Sequence, residues 1–168
     1  MGTVYFVGAG PGDPDLITLR GKRLLKEADC VIYDRLVSPE LLKQTKPACE
    51  KIYVGKEPNE GGHGQSRIQR FLVEKARRHR RVVRLKGGDP TIFGRLSEEM
   101  RVLLKHRIPF EIVPGVSSVW SAAASAGIPL TDRGLSSSVV IATGHPAASA
   151  KERTVHWEQL GRAAAPLV

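Results

Sequence analysis

The residues most able to do chemistry open the chain. A short apolar run, Val4 to Val7, breaks directly into Gly8-Ala-Gly-Pro-Gly12, and a second run, Cys30 to Tyr33, ends on Asp34. Glycines in such a loop let the backbone turn sharply and approach a ligand with no Cβ in the way. A glycine loop at one strand end and an acidic residue at the next place a ligand site at the carboxyl edge of a parallel sheet. The general reading of that layout is a dinucleotide fold, which asks for glycines spaced G-x-G-x-x-G. The third glycine position here holds Asp13, followed by Pro14. A carboxylate facing a pyrophosphate is repulsive, so the spacing argues against NAD or FAD.

The elements that must carry this site follow from periodicity. Short apolar segments at Val4–Val7, Cys30–Tyr33, Ile52–Val54, Val82–Leu85 and Phe110–Val113 read as buried strands. Between them, Leu19–Glu27, Ser66–Arg78, Glu98–Lys105 and Ser118–Ala126 read as helices, with Thr18 placed to cap the first. Strands alternating with helices predict an α/β class, with a mostly parallel five-stranded sheet covered on both faces. Residues 1–133 are expected to form this first α/β domain. The polar, small and glycine-bearing stretch 134–138 reads as a linker. Residues 139–168 then restart the pattern, with Val139–Ala142 as a strand and Val155–Leu160 as a helix, as the beginning of a second, incomplete α/β domain.

Composition narrows the function. The formal charge is +9 at pH 7, with a pI near 9.9, and much of the excess sits in Lys75-Ala-Arg-Arg-His-Arg-Arg81. Cations suit a helix C-terminus, so that run reads first as a solvated helix end. No aromatic interleaving and no nucleic-acid-binding motif accompanies it, so nucleic acid is not an expected partner. An acidic small molecule fits the charge better, because a positive field steers polyanions toward the protein. No apolar run is long enough to span a bilayer and no signal-peptide pattern is present, so the expectation is a soluble, cytoplasmic chain without a membrane partner. Cys30 and Cys49 read as reduced thiols, and the five histidines show no ligand-like spacing, so no metal is expected.

Several longer blocks point to a family. Val7-Gly-Ala-Gly-Pro-Gly-Asp-Pro14 and Tyr33-Asp-Arg-Leu-Val37 are followed in order by Val54-Gly-Lys56 and Val83-Arg-Leu-Lys-Gly-Gly-Asp-Pro90. Ile92-Phe-Gly-Arg95, Val113-Pro-Gly-Val-Ser-Ser118 and Ala126-Gly-Ile-Pro-Leu-Thr131 complete the series. Together they resemble the tetrapyrrole methylases, from Val4 to about Trp157. The resemblance implies transfer of methyl groups from S-adenosylmethionine to carbons C2 and C7 of uroporphyrinogen III, giving precorrin-2 in sirohaem or cobalamin biosynthesis. It implies a polycarboxylate tetrapyrrole substrate, S-adenosylhomocysteine as the second product, a homodimer and no metal. It places the methyl donor against Pro11, Gly87, Gly88, Asp89, Ile92, Ser117 and Ser118. Two glycines allow close approach to a nucleoside, and Asp89 can accept hydrogen bonds from ribose hydroxyls or an ammonium. Asp34 falls at the family's proton acceptor and Lys56 at its proton donor. Arg95 can clamp a substrate carboxylate through two parallel hydrogen bonds and assist proton removal.

The chain also departs from the family pattern. Leu96-Ser97 stands where Gly-Gly is usual, Asp132 where a histidine is usual, and Ser117-Ser118-Val119 where Thr-Ser-Ala is usual. An aspartate beside a polyanion is unfavourable unless Arg133 neutralises it. Two alternatives follow: a methylase of a later corrin precursor, and a non-catalytic anion-binding relic. The Tyr33–Val37 block favours the earlier substrate. The resemblance also implies a full second domain after the linker, with a Met-Gly segment contacting the donor, so the chain ending at Val168 is expected to be inactive alone.

Overall fold

In the computed structural model the residues described are 1–55, 64–134, 138–143 and Glu158. They fall into two units, Met1–Ser118 and Val119–Val168. The division lies nearer the N-terminus than the expected linker, because helix α5 (Ser118–Ser125) belongs mostly to the second unit. Lys56 and most of 139–168, including the expected helix Val155–Leu160, lie outside the described residues apart from Glu158. Val139–Ala142, expected as a strand, shows only a single bridge residue at Val140. A strand requires a continuous hydrogen-bonded neighbour, and among the described residues this stretch has none.

The first unit is the expected five-stranded α/β sheet. Its strands are β1 (Thr3–Gly8), β2 (Cys30–Tyr33), β3 (Glu50–Tyr53), β4 (Arg81–Lys86) and β5 (Phe110–Val113). All pair in parallel, in the order β3-β2-β4-β1-β5. The helices are α1 (Leu19–Glu27), α2 (Pro39–Leu42), α3 (Gly64–Arg78) and α4 (Leu96–Lys105). Two one-turn elements escape the periodicity: the 3-10 turn Pro14–Leu16, and α2, each too short to show a period.

Connection handedness fixes which face each helix covers. β1 to β2 and β2 to β3 move one way along the sheet, and β3 to β4 and β4 to β5 move back. Right-handed crossovers put helices from opposite directions on opposite faces. One core accordingly joins Leu25 of α1 and Leu41 of α2 to Val7, Val31, Val83 and Leu85. The other joins the α3 stripe Ile68, Leu72 and Ala76, with Leu103 of α4, to Val4, Phe6, Ile32 and Val82. α1 starts where the sequence places it, with the Thr18 hydroxyl accepting the Gly21 N–H at 3.1 Å.

The basic run is less exposed than its composition suggests. Lys75 is buried, and its ammonium lies 2.6 Å from Glu50 of β3, which also meets His79 at 3.0 Å. Arg78 pairs with Glu74, and the Arg80 and Arg81 N–H groups donate to Asp29. The solvated-helix reading therefore needs correction at Lys75, because the last turn of α3 docks on the β3 edge.

Candidate active site

The chain leaves β1 and β4 toward opposite sheet faces, and these strands are neighbours, so a crevice opens at their carboxyl ends. Several of the sequence-derived residues, the Gly87–Asp89 turn and Ser117 among them, meet here. The Gly8–Gly12 loop and the Gly87–Asp89 turn are joined main chain to main chain. The Gly10 N–H donates to the Gly88 carbonyl at 3.2 Å, and the Gly88 N–H donates to the Gly10 carbonyl at 2.7 Å. The loop after β5 closes onto the same point: a Cβ on Gly115 would lie 2.3 Å from the Gly88 carbonyl oxygen. Real Cβ atoms do not approach so closely, so three loops meet there by backbone alone.

Gly88 itself adopts φ +64°, a left-handed conformation that L side chains rarely take. A Cβ placed there meets nothing nearer than the Ser117 Cα and Ser118 N at 3.9 Å. A Cβ there would make ordinary van der Waals contact with the backbone of Ser117, which is buried, and Ser118, which is exposed, so the Gly88 turn lies beside that segment with room for little more than a methyl group on that side. Pro11, in the first loop, and Ile92, three residues beyond Asp89, are both half-buried.

Asp89 is more committed than expected. Its Oδ1 accepts the Thr91 N–H at 2.7 Å and the Thr91 hydroxyl, and its Oδ2 accepts the Gly115 N–H at 2.9 Å. Burial pushes this carboxyl up, but the Thr91 and Gly115 donors outweigh it and hold it below its ordinary value. A carboxylate has about four acceptor positions, so these three donors leave little for a ligand. In this structure Asp89 chiefly ties its own turn to the β5 loop.

Asp34 stands on the same carboxyl edge, one strand over. Its Oδ1 accepts the Leu36 N–H at 3.2 Å, and its Oδ2 lies 3.6 Å from Nη2 of Arg84 rather than pairing with the adjacent Arg35. A Cβ on Gly87 would lie 2.7 Å from the Leu36 Cβ, so the Asp34–Leu36 turn rests on the glycine turn. Arg95 caps α4 in a left-handed conformation, φ 51°, and Phe93 two residues earlier has φ 49°. Strained non-glycine residues of this kind cluster at functional sites. The Arg95 fork grips Glu98, with Nε and Nη2 each 2.8 Å from a carboxylate oxygen. Hydrogen bonding to Glu98 raises the Arg95 value and lowers that of Glu98. The fork therefore suits a carboxylate, and Glu98 already fills it. Leu96, the departure beside it, is buried in the α3/α4 core, while Ser97 stays exposed. With Phe93, Arg95, Met100 and Arg101 they border a groove of about 540 Å³.

Sequence reading missed Glu98 as the partner of Arg95, and missed Arg84, Lys86 and Glu99 beneath Asp34. It also treated the histidines as scattered, yet folding gathers ligand-type atoms of Cys30, Glu50 and His79 within 4.8 Å of one another at the amino edge of the sheet. Burial first, then the Glu50 charge, pushes the Cys30 thiol up to about 12, and the Lys75 ammonium already neutralises Glu50. That arrangement reads as a closed ion cluster.

These features define a parallel α/β sheet with a glycine-built junction at its carboxyl edge, and comparison with known proteins supplies the family. The family described as Tetrapyrrole (Corrin/Porphyrin) Methylases matches residues 3–168, and the chain belongs to it. The uroporphyrinogen-III C-methyltransferase of Bacillus subtilis is 49% identical over 99% of this chain and 35% of its own length. The protein of the same name from Methanocaldococcus jannaschii is 49% identical over 95% of this chain and 66% of its own. The crystal structure of the Thermus thermophilus uroporphyrin-III C-methyl transferase complexed with S-adenyl homocysteine superposes with a TM-score of 0.69. It shares 51% identity, over 83% of this chain and 54% of that one. The chain thus spans between about a third and two thirds of the relatives it matches.

Proposed function

We propose that this chain belongs to an S-adenosylmethionine-dependent C-methyltransferase that converts uroporphyrinogen III, through C2 and C7, to precorrin-2. The observation that carries the reading is the backbone junction of the Gly8–Gly12 loop, the Gly88 turn and the Gly115 loop beside Asp34. Its support is the identity, about one half, to a protein solved with S-adenyl homocysteine. Relatives named siroheme synthase support sirohaem biosynthesis as the pathway, and cobalamin biosynthesis as a second destination rests on the family resemblance. A cytoplasmic homodimer is part of the same proposal and rests on the family resemblance.

S-adenosylmethionine, when bound, supplies an electrophilic methyl group on a sulfonium. The chain's part is to bind, orient and move protons. Pro11, the Gly87–Asp89 turn, Ile92, Ser117 and Ser118 form the donor face. Arg95 grips a substrate carboxylate by exchanging Glu98 for it, since one fork takes one carboxylate. Carbon methylation of a pyrrole requires loss of a proton from the macrocycle, and Asp34 accepts it at an oxygen held by the Leu36 N–H or by Arg84. Lys56, the proton donor by resemblance, protonates the macrocycle at a second position only as a further proton leaves it, so that each methyl group gained still releases one proton overall.

Calorimetric titration of S-adenosylhomocysteine into the whole methyltransferase to which this chain is proposed to belong tests the donor face, followed by a methyl-transfer assay with uroporphyrinogen III generated in place. Binding and formation of precorrin-2 are the expected results. Absence of binding overturns the methylase reading. Binding with turnover only of a later precorrin moves the substrate instead, toward the cobalt precorrin-4 methyltransferase that superposes with a TM-score of 0.74 at 35% identity.

A further inference from the structure

Directly under Asp34 lies a chain of enclosed charges that the donor and substrate contacts do not use. β4 alternates Val82, Arg84 and Lys86 onto the face covered by α3 and α4, where a strand would ordinarily present only apolar groups. The Arg84 side chain is 3% exposed, that of Lys86 5%, and that of Glu99 on α4 only 1%. Glu99 Oε1 accepts from Lys86 Nζ at 3.1 Å, and Oε2 lies 3.3 Å from Arg84 Nε. Arg84 Nη1 donates to the carbonyls of Ile32 at 3.4 Å and Leu85 at 3.1 Å, and Nη2 reaches Asp34 at 3.6 Å. Arg84 and Ile32 are register partners across β2 and β4, so the guanidinium lies directly below the strand end that bears Asp34.

Charge counting explains the reach. Two cations enclose a single buried carboxylate, and among the described residues Asp34 supplies the second negative charge. Burial, then the neighbouring Arg84, draws the Lys86 ammonium below its ordinary range against the opposing pull of Glu99. Such a cluster is a poor device for stability. Desolvating the ions costs about as much as their attraction returns, and apolar replacements of similar volume are often neutral or better. Its geometry offers something else. Glu99 sits one turn into α4, the helix that Arg95 caps, and Lys86 runs under the loop before it: a Cβ on Gly94 would lie 3.1 Å from Lys86 Cε. The cluster therefore joins the end of β2 to the start of α4.

We propose that Arg84, backed by Glu99 and Lys86, is a positioning residue for Asp34. It holds one carboxylate oxygen from below while the Leu36 N–H holds the other, and it ties Asp34 to the same frame as Arg95. The role rests on the reading of Asp34 as proton acceptor, and a misplacement of about 1 Å at such a group costs about 10²-fold in rate.

The test replaces the cluster whole, as Arg84→Met, Lys86→Met and Glu99→Leu together, because a single replacement leaves a buried charge unpaired and risks unfolding. The triple variant is expected to melt no lower than the parent and to bind S-adenosylhomocysteine unchanged, with kcat about 10²-fold lower. In an Asp34→Asn background the same triple change is expected to lower kcat no further. A variant that keeps its full kcat, or one whose loss multiplies with that of Asp34→Asn, overturns the proposal. A second readout needs no turnover. With aspartate carboxyl carbons labelled with carbon-13, the Asp34 signal, assigned by its disappearance in Asp34→Asn, is expected to shift in the triple variant while that of Asp89 stays. If the parent protein transfers no methyl group, the functional reading fails and this signal alone decides: an unmoved Asp34 resonance overturns the positioning role.

Discussion

In the proposed donor site Gly88 brings two separate properties, its φ of +64° and the lack of a side chain beside the backbone of Ser117 and Ser118, 3.9 Å from where a Cβ would sit. Alanine there is expected to cost about 1 kcal/mol of stability through the left-handed backbone alone. Valine adds bulk where a nucleoside would lie. Gly88→Ala is expected to fold and bind S-adenosylhomocysteine more weakly, and Gly88→Val to fold with no measurable binding. Melting curves and calorimetry on the same samples separate the two effects, and a folded Gly88→Val that binds normally would move the donor elsewhere. Arg95 is tested by Arg95→Lys, which keeps the charge and loses the fork. Tetrapyrrole affinity is expected to fall about ten-fold, the loss of one charge-assisted hydrogen bond, with donor affinity intact. Equal losses would remove the clamp. At this scale the sequence showed which residues follow clear apolar strands, Asp34 and the Gly87–Asp89 turn, while Arg95 was singled out from the block that resembles the family. Arg84, Lys86 and Glu99 stayed hidden because charged residues alternating along a strand or spaced along a helix read as solvent-facing. Only the covering of one sheet face by α3 and α4 buries them.

Among elements, the strands and four longer helices were legible from periodicity, and their ends moved by a residue or two where caps and register decide. β3 shows why the rest was not. Its residues, Glu50-Lys-Ile-Tyr53, alternate, and the expected apolar run Ile52–Val54 misses its start. Glu50 belongs to the strand because it pairs with Cys30 and docks α3 through Lys75 and His79. Lys75 first, then His79, holds the Glu50 carboxyl below its ordinary value of 4.5, against the effect of burial. A group depressed in the fold contributes stability that is full above its unfolded value and is lost as pH falls through the folded one. Glu50→Gln is therefore expected to lower the melting temperature at neutral pH, with the difference from the parent shrinking as pH drops below 4.5. A difference that does not change with pH would show that packing, not charge, joins α3 to β3.

Over the whole molecule, the exposed part of the positive excess is expected to act on association, as a field that steers a polyanion. A cavity of about 610 Å³ between α3 and α4 is bordered by Arg70, Arg77 and Arg78, away from the glycine loops. Neutralising Arg77, Arg78, Arg80 and Arg81 together is expected to flatten the salt dependence of tetrapyrrole association while leaving donor affinity unchanged. Stopped-flow association at several ionic strengths reads this directly, and an unchanged salt slope would show that the field comes from elsewhere. The α/β class was evident from strand–helix alternation, but the strand order was not. Alternation says that strands are parallel and leaves open which of them are neighbours.

That order has a consequence in time. Among the described residues β1 pairs only with β4 and β5, and β2 only with β3 and β4. As the chain emerges from the ribosome, β1 therefore has no partner until Arg81–Lys86 appears, while β2 and β3 can already form a small parallel pair. β4 is the keystone that slots between two waiting edges, and it arrives carrying Arg84 and Lys86. Long-range parallel pairings of this kind close slowly, because loop entropy is spent before any contact returns it. Until then the nascent chain carries unpaired strand edges, the kind of surface on which partly made proteins aggregate.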